Sequence, residues 1–369
     1  MNLTLHLTNQ CNLCCSYCFV ERGEQTMSAK VADAAIRFGM EDKTSSGLLF
    51  YGGEPLVAKE RIYHIIEETQ KIRKKTGHSF YYKMTTNGTL LDEDFLKLSK
   101  ETSMSIGFSH DGPAQDVYRL LPSGEGTFSM LEEKIPLLLK YQPYAIGMCV
   151  LNPSTANKAS AIVQFLFDKG FRYITVGMNY DEAAGWTKEH LLLLEEEYKK
   201  MAEMYFKWTK AEEKFYLSSF DMKILSHLQG ENYNQNRKQI AKNQLSVGPD
   251  GKLYASSKHV GTAAFEIGDV FNGIDEEKQQ RIHQQGFQTP ESCAACGMKH
   301  RCNYSYGGLR YQEGKIVSKI SPVQCMHEQI LTPIADRLAE RLYKEGSALF
   351  MHKHYNERYA MLSLLENTT

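Results

Sequence analysis

The chain has 369 residues, 42% of them hydrophobic and 24% charged, enough to fill one large core with a smaller appendage and unlike the composition of a disordered segment. Its formal net charge of -1 shows no basic excess, and its lysines and arginines are scattered among acids, which argues against nucleic acid as a partner. No apolar run nears the roughly 18 residues of a membrane helix, and the opening MNLTLHLTNQ lacks the charged start and apolar stretch of a secretion signal, so a cytoplasmic location away from membranes is expected.

From residue 3 onward, β-rich runs alternate with helical patterns. LTLHLT, GLLFYGG, SFYYKMTT, MSIGFSH, AIGMCVL and YITVGMN predict six strands, and segments 28–42, 58–76, 92–102, 127–140 and 155–169 carry apolar residues at the spacing of crossover helices. A repeated βα unit implies an α/β fold with a parallel sheet. Six units fall short of the eight of a closed barrel, so a partial (β/α)6 TIM-like barrel is expected, open on one side, with function at the C-terminal strand ends. From 187 to 229 the pattern is helical, as a bridge or a lid. Residues 245–325 are rich in glycine and turns, and 326–345 reads as an amphipathic helix. The expected organisation is a barrel core over 1–185, a helical bridge over 186–240, a small cysteine-rich domain over 241–330, and a C-terminal helix and tail over 331–369.

Nine cysteines in a reducing compartment point to metal more than to disulfides. Cys11, Cys14, Cys15 and Cys18 crowd the N-terminus, Cys293, Cys296, Cys302 and Cys325 lie near the C-terminus, and Cys149 stands alone. Cys11, Cys15 and Cys18 have the spacing C-x3-C-x2-C on the loop after the first strand. A [4Fe-4S] cluster usually takes four thiolates, so three leave one iron open for a cofactor or substrate. A zinc site would need a fourth ligand, for which Cys14 or His6 is near in sequence.

CNLCCSYC, with an aromatic residue before the third cysteine, resembles the signature of the radical S-adenosylmethionine (SAM) enzymes. The resemblance implies an open iron chelated by the amino and carboxylate groups of SAM. One-electron cleavage of the sulfonium bond then releases a 5'-deoxyadenosyl radical, and Tyr17 flanks the adenine. Tyr51-Gly52-Gly53-Glu54-Pro55 is similar to the family's SAM-amino-binding motif, with Gly53 and Glu54 doing that work; read alone, its glycines let the backbone approach a ligand closely. Thr85-Thr86-Asn87-Gly88 looks like the family's TNG stretch and equally like a turn with a helix cap. Ser109-His110-Asp111-Gly112-Pro113 with Arg119 resembles the S-x-D-G-P and following arginine of a subgroup with auxiliary clusters, which implies Ser109 at the ribose and Arg119 at the SAM carboxylate. His110 departs from the apolar residue usual there, as a substrate contact or a tolerated change. Leu151 and Asn152 match a position where a backbone group meets the adenine, and Cys149 reads as core.

Cys293, Cys296 and Cys302 follow C-x2-C-x5-C, and with Cys325 they can close a four-thiolate set around a cluster or a zinc ion. The region resembles a degenerate SPASM/twitch-like domain, whose full pattern has seven cysteines and two auxiliary [4Fe-4S] clusters. Tyr306 stands where the next cysteine is expected, and in VGPDGKLYASS Ser256 stands five residues beyond Gly251 where another is expected. The inner auxiliary cluster is therefore expected to be absent, leaving two [4Fe-4S] clusters, one SAM-binding and one auxiliary that either relays electrons or braces the domain.

The resemblance implies a peptide maturase acting on a ribosomally made peptide, by thioether formation, carbon-carbon crosslinking or epimerisation. A low-potential donor such as flavodoxin or ferredoxin is implied as partner. The barrel begins at residue 3, so leader recognition is expected to need a separate leader-peptide-binding protein or another surface. Alternatives are an anaerobic sulfatase-maturase-like enzyme forming formylglycine, or a non-catalytic iron-sulfur electron carrier or zinc-stabilised scaffold. His352 and His354 in HKHYNERY could bind metal or belong to a solvated tail.

Overall fold

The computed structural model describes residues 1–41, 44–230, 244–286, 290–302, 309–312 and 314–355. Strands β1 (Asn2–Thr8), β2 (Ser45–Gly52), β3 (Ser79–Thr86), β4 (Ser105–Ser109), β5 (Ile146–Leu151) and β6 (Tyr173–Met178) lie side by side in chain order, each pair parallel. Helices α1 (Ala29–Met40), α2 (Lys59–Thr76), α3 (Glu93–Glu101), α4 (Gln115–Tyr118), α5 (Phe128–Tyr141) and α6 (Ala159–Asp168) fall in the crossovers. The partial parallel barrel expected from the βα repeat is the observed architecture.

Local chemistry sets the boundaries. Ser28 caps α1 by accepting the Val31 N–H, and Asp92 caps α3 by accepting the Phe95 N–H. Gly77 ends α2 at φ +76°, a left-handed conformation that glycine enters without strain. Leu3, Leu5 and Leu7 of β1 and Phe50 of β2 are sealed in one core with Ile62 and Ile65 of α2, Phe95 of α3 and Phe108 of β4. Each such burial is worth roughly 1.5–3 kcal/mol.

The sheet runs beyond six strands at both ends. β7 (Tyr216–Leu217) adds in parallel to β6, and β8 (Gln244–Val247) adds in parallel to β1. β9 (Lys252–Tyr254), β10 (Glu266–Asp269) and β11 (Gly273–Ile274) then continue antiparallel. The C-terminal segment thus starts as an extension of the barrel sheet, whereas the sequence suggested a region set apart from it. The stretch 187–229 likewise differs from the expected bridge or lid. It folds as α7 (Lys188–Lys210), β7 and α8 (Ser218–Gln229). α7 buries Leu191, Leu194, Tyr198 and Met201, and its Trp208 stacks on Phe167 of α6 at 3.8 Å, so it forms part of the barrel wall.

Farther on come α9 (Glu276–Gly286), the hairpin β12 (Leu309–Gln312) and β13 (Lys315–Ser318), α10 (Pro322–Lys344) and α11 (Ala348–Tyr355). α10 begins four residues before the expected 326, with Pro322 in its first turn, where a missing N–H costs nothing. Its Glu328 forms a buried ion pair with Lys223 of α8, and Asp336 takes the Arg301 guanidinium at 2.6 and 2.9 Å. His354 of α11 lies 3.3 Å from the buried Asp221 carboxylate, which Lys353 also meets at 2.6 Å. His354 is therefore packed against the barrel, not in a solvated tail. Tyr306 and residues 356–369 lie outside the described residues.

Candidate active site

The C-terminal ends of β1 to β6 open into a cavity of about 810 Å³. The loop after β1 brings Cys11, Cys15 and Cys18 to its wall together, and Tyr17, Gly53, Glu54, Ser109 and Arg119 also line it. Burial raises the Cys11 and Cys15 thiols, that of Cys15 to about 11; Cys18 adds to the rise of both, and Cys11 adds to that of Cys15. Leu13 N–H at 3.4 Å and Asn87 Nδ2 at 3.8 Å donate to Cys11 Sγ. Cys14 faces elsewhere, accepting Arg22 Nη1 at 2.7 Å, and Arg22 also donates to the Leu13 carbonyl.

Among the described residues, no three Cys, His, Asp or Glu groups gather tightly enough for one metal ion. A tetrahedral thiolate ion needs sulfurs roughly 3.8 Å apart, as Zn–S bonds of about 2.3 Å dictate. A cluster takes each thiolate on a different iron and so asks for a wider set. Three thiols on one wall, with donors aimed at Cys11, fit that demand.

The glycines of Tyr51-Gly52-Gly53-Glu54 have a different reason from the one expected. A Cβ on Gly53 would stand 2.1 Å from the Gln10 carbonyl oxygen, and one on Gly52, at φ +127°, 2.4 Å from the Thr8 carbonyl. What approaches closely is the chain leading into the cysteine loop. Gly53 N–H donates to Thr8 O at 2.8 Å and Glu54 N–H to Gln10 O at 2.9 Å, so the two loops are laced together. Glu54 is fully buried. Its carboxylate accepts Leu56 N–H at 3.0 Å, Thr86 Oγ1 at 2.7 Å and Asn87 N–H at 2.7 Å, yet burial raises its pKa to about 7. Most of its acceptor capacity serves the fold. Asn87, read from sequence as a turn residue, also donates to Asn12 Oδ1 at 2.9 Å and so ties the cysteine loop to the end of β3.

Arg119, expected at the SAM carboxylate, is also tied within the protein. It is buried in an ion pair with Asp111, Nε to Oδ2 at 2.7 Å and Nη2 to Oδ1 at 3.3 Å. Asp111 also accepts Tyr17 Oη at 3.1 Å and Val150 N–H at 2.9 Å. Tyr17 lies beneath the guanidinium at 5.3 Å, and burial drives its pKa well up. This four-way junction joins the cysteine loop to the ends of β4 and β5; sequence offered Asp111 as part of the S-x-D-G-P motif, with no role of its own.

Leu151 does not line the cavity. Its side chain is in the core and its carbonyl accepts Asn179 N–H at 3.0 Å, while Val150 and Asn152 on either side reach the cavity. His110 is a core residue: it stacks on Phe165 at 5.3 Å, its Nδ1 accepts Gly112 N–H, and burial lowers its pKa to about 4. Cys149 is buried as expected, with its Sγ near the Thr175 carbonyl, though it touches the cavity wall.

The second cysteine group sits where the 290–302 segment meets the start of α10. The Cys325 thiol is raised by burial and then by Cys296 and Cys293, so these three are neighbours. Tyr180, a lining residue of the cavity, has its hydroxyl pKa raised by burial first, then by Glu328 and by Cys302, which places Cys302 near it. Tyr180 Oη lies 2.8 Å from His327 Nδ1, and His327 Nε2 lies 2.6 Å from Tyr198 Oη. That buried series links the cavity to α10 and had no signature in the sequence.

Residues 5–166 match the family model of the radical SAM superfamily. The chain carries a radical SAM domain. Domains of this family use a [4Fe-4S] cluster and SAM. A cysteine-type anaerobic sulfatase-maturating enzyme of Clostridium perfringens (strain 13 / Type A) is 27% identical over 175 residues, 44% of this chain and 47% of that protein. The chain therefore matches about half the length of this relative. The structure of native anSMEcpe with bound AdoMet and the Kp18Cys peptide superimposes with a TM-score of 0.77 at 21% identity, over 93% of this chain and 100% of that one. Streptococcus suis SuiB bound to its precursor peptide SuiA gives a TM-score of 0.60 at 14% identity, over 88% of this chain and 75% of that one. Among the described residues no helix is long and apolar enough to cross a membrane.

Proposed function

We propose that this protein cleaves SAM reductively at the cavity and uses the radical to abstract hydrogen from a peptide or protein substrate. The observation that carries the reading is the three-thiol wall of an 810 Å³ cavity, within the size range of a ligand-binding site and open at the strand ends. In this reading Cys11, Cys15 and Cys18 hold the cluster, and the bound cluster and SAM supply a 5'-deoxyadenosyl radical.

The chain's own residues position and shield. Gly52 and Gly53 fix the cysteine loop against β2, Glu54 and Asn87 hold it from beneath, and Asp111 sets Tyr17 and Arg119 on the wall beside it. Glu54 has an oxygen lone pair left toward an ammonium group, and Arg119 keeps Nη1 for an anion. Ser109 lines the same wall as a polar contact. Cys293, Cys296, Cys302 and Cys325 are assigned to one auxiliary cluster, bringing the total to two, and Tyr180 is the nearest named link from that group to the cavity.

The peptide substrate is supported by the likeness to SuiB with its precursor peptide and to anSMEcpe with a bound peptide. A second reading, formylglycine formation in a sulfatase, is favoured by the match to sulfatase-maturating enzymes. Anaerobically reconstituted protein with SAM and dithionite is expected to form 5'-deoxyadenosine, and the Cys11, Cys15, Cys18 to Ala triple variant to form none. Equal amounts from both, or none from cluster-loaded wild type, would sink the proposal. Adding sulfatase peptides that carry Cys or Ser then separates the two readings by a mass loss at that residue.

A further inference from the structure

We infer that Lys258 and Arg310 form a carboxylate-binding subsite on the C-terminal wall of the cavity, which takes an acidic group of the substrate. The inference rests on the peptide-modifying reading of that cavity and names the chemistry the substrate must bring.

Both side chains line the cavity, yet they come from distant parts of the chain. Lys258 is in the turn Ser257–His259 after β9, and Arg310 is in β12. His259 brackets the two segments. Its Nδ1 lies 2.9 Å from Ser256 Oγ, its Nε2 lies 3.2 Å from the Leu309 carbonyl, and its ring stacks on Phe265 at 3.8 Å. Burial keeps this imidazole neutral, with a pKa lowered to about 4, so Nε2–H donates to Leu309 and Nδ1 accepts from Ser256. The residues next to the bracket, Lys258 and Arg310, are thereby set side by side. Lys258 is pushed below the usual lysine range by its burial and then by Arg310, the cation beside it.

Among the described residues, neither Lys258 nor Arg310 lies within ion-pair distance of a carboxylate. Arg119 is matched by Asp111, and Lys319 at the rim is matched by Glu182 at 3.5 Å. The acid facing Lys258 is Asp181, whose Oδ1 already accepts Ala183 N–H at 3.0 Å. Among the described residues, Lys258 thus has one named acid near it against the neighbouring Arg310 cation. Repulsion between like charges grows as water is removed, and a carboxylate placed between an ammonium and a guanidinium fork relieves it through charge-assisted hydrogen bonds. An amide of the same shape does not.

The test uses cluster-loaded protein with SAM and a pool of acetylated Gly/Ala/Ser/Cys dodecapeptides. Each amidated peptide carries one Asp, Glu, Asn or Gln, and one further peptide has none of these but a free C-terminal carboxylate. Retention after anaerobic ultrafiltration is read by mass spectrometry. Wild type is expected to retain acids about tenfold over the matching amides, the scale of a charge-assisted contact. Preference for the Asp and Glu peptides assigns the group to a side chain, and preference for the free acid assigns it to the substrate C-terminus. Lys258→Met with Arg310→Met should bring acids and amides to parity, while Lys258→Arg retains the preference and so guards against a merely misfolded variant. Equal retention of acids and amides by wild type overturns the inference, as does an undiminished preference in the double variant. Loss of SAM retention by the double variant also overturns it, because the cations would then serve the cofactor. Peptide retention requires no SAM cleavage, so a failure to form 5'-deoxyadenosine refutes the proposed function separately.

Discussion

Asp111 is the residue whose removal should be felt most widely around the site. Its carboxylate is 3% exposed and its partner Arg119 8%, and Asp111→Ala leaves that guanidinium buried without a counter-charge. Breaking a buried pair from one side costs about 3–5 kcal/mol. The Val150 N–H, now 2.9 Å from Oδ1, would also lose its acceptor, which places the expected loss at the upper end of that range. Asp111→Asn keeps an acceptor for Val150 and should lose less. In Asp111→Ala with Arg119→Met the orphaned cation is gone as well, so the double variant should be more stable than Asp111→Ala alone. Urea unfolding of the cluster-free protein can be followed by tryptophan fluorescence, since Trp208 is stacked in the barrel wall. A loss below about 1 kcal/mol for Asp111→Ala, or a double variant no better than the single, would refute the idea that this junction is a desolvated pair.

Three further outcomes follow from named contacts. Folded Glu54 holds its proton up to about pH 7 while the unfolded group releases it near 4.5, so its ionisation subtracts stability as pH rises through that window, by roughly 3 kcal/mol in full. The stability difference between wild type and Glu54→Gln should therefore shift in the variant's favour from pH 5 to pH 8, and a constant difference would contradict the assignment. His6 acts in the opposite direction. It is buried with neither ring nitrogen partnered among the described residues, and its pKa falls to about 4 from 6.5, so wild type loses stability as pH drops through that interval. His6→Phe should gain about 1–3 kcal/mol at neutral pH and flatten the acid limb, and a destabilised variant would show that the histidine is satisfied. Finally, Gly53→Ala forces a carbon onto the Gln10 carbonyl, so iron and sulfide per chain after reconstitution should fall well below wild type; full loading would mean the cysteine loop does not depend on that lacing.

Six strands and five of their crossover helices were legible because each carries a hydrophobic period several residues long, and that period is a property of neighbours in sequence. The meeting of Cys11, Cys15 and Cys18 on one wall was legible for the same reason, since a cluster within one loop is written in local spacing. Tyr216–Leu217 was not, because two residues carry no period, and β8 was not, because its place beside β1 is a choice among edges that only the folded sheet presents. The spacing also named Glu54 and Arg119 without their partners. Whether a carboxylate or guanidinium is free for a ligand depends on which groups the fold brings within 3 Å: Thr86 and Asn87 reach Glu54 from the end of β3, and Asp111 meets Arg119 across the folded loop after β4. Sequence by itself determined the repeating unit, the clustering of the cysteines and the family signature, all of them short-range patterns. Only the tertiary structure decided which charges are spent inside the protein and which, like Lys258 and Arg310, are left facing the cavity, because charge balance is settled between residues that meet only in the fold.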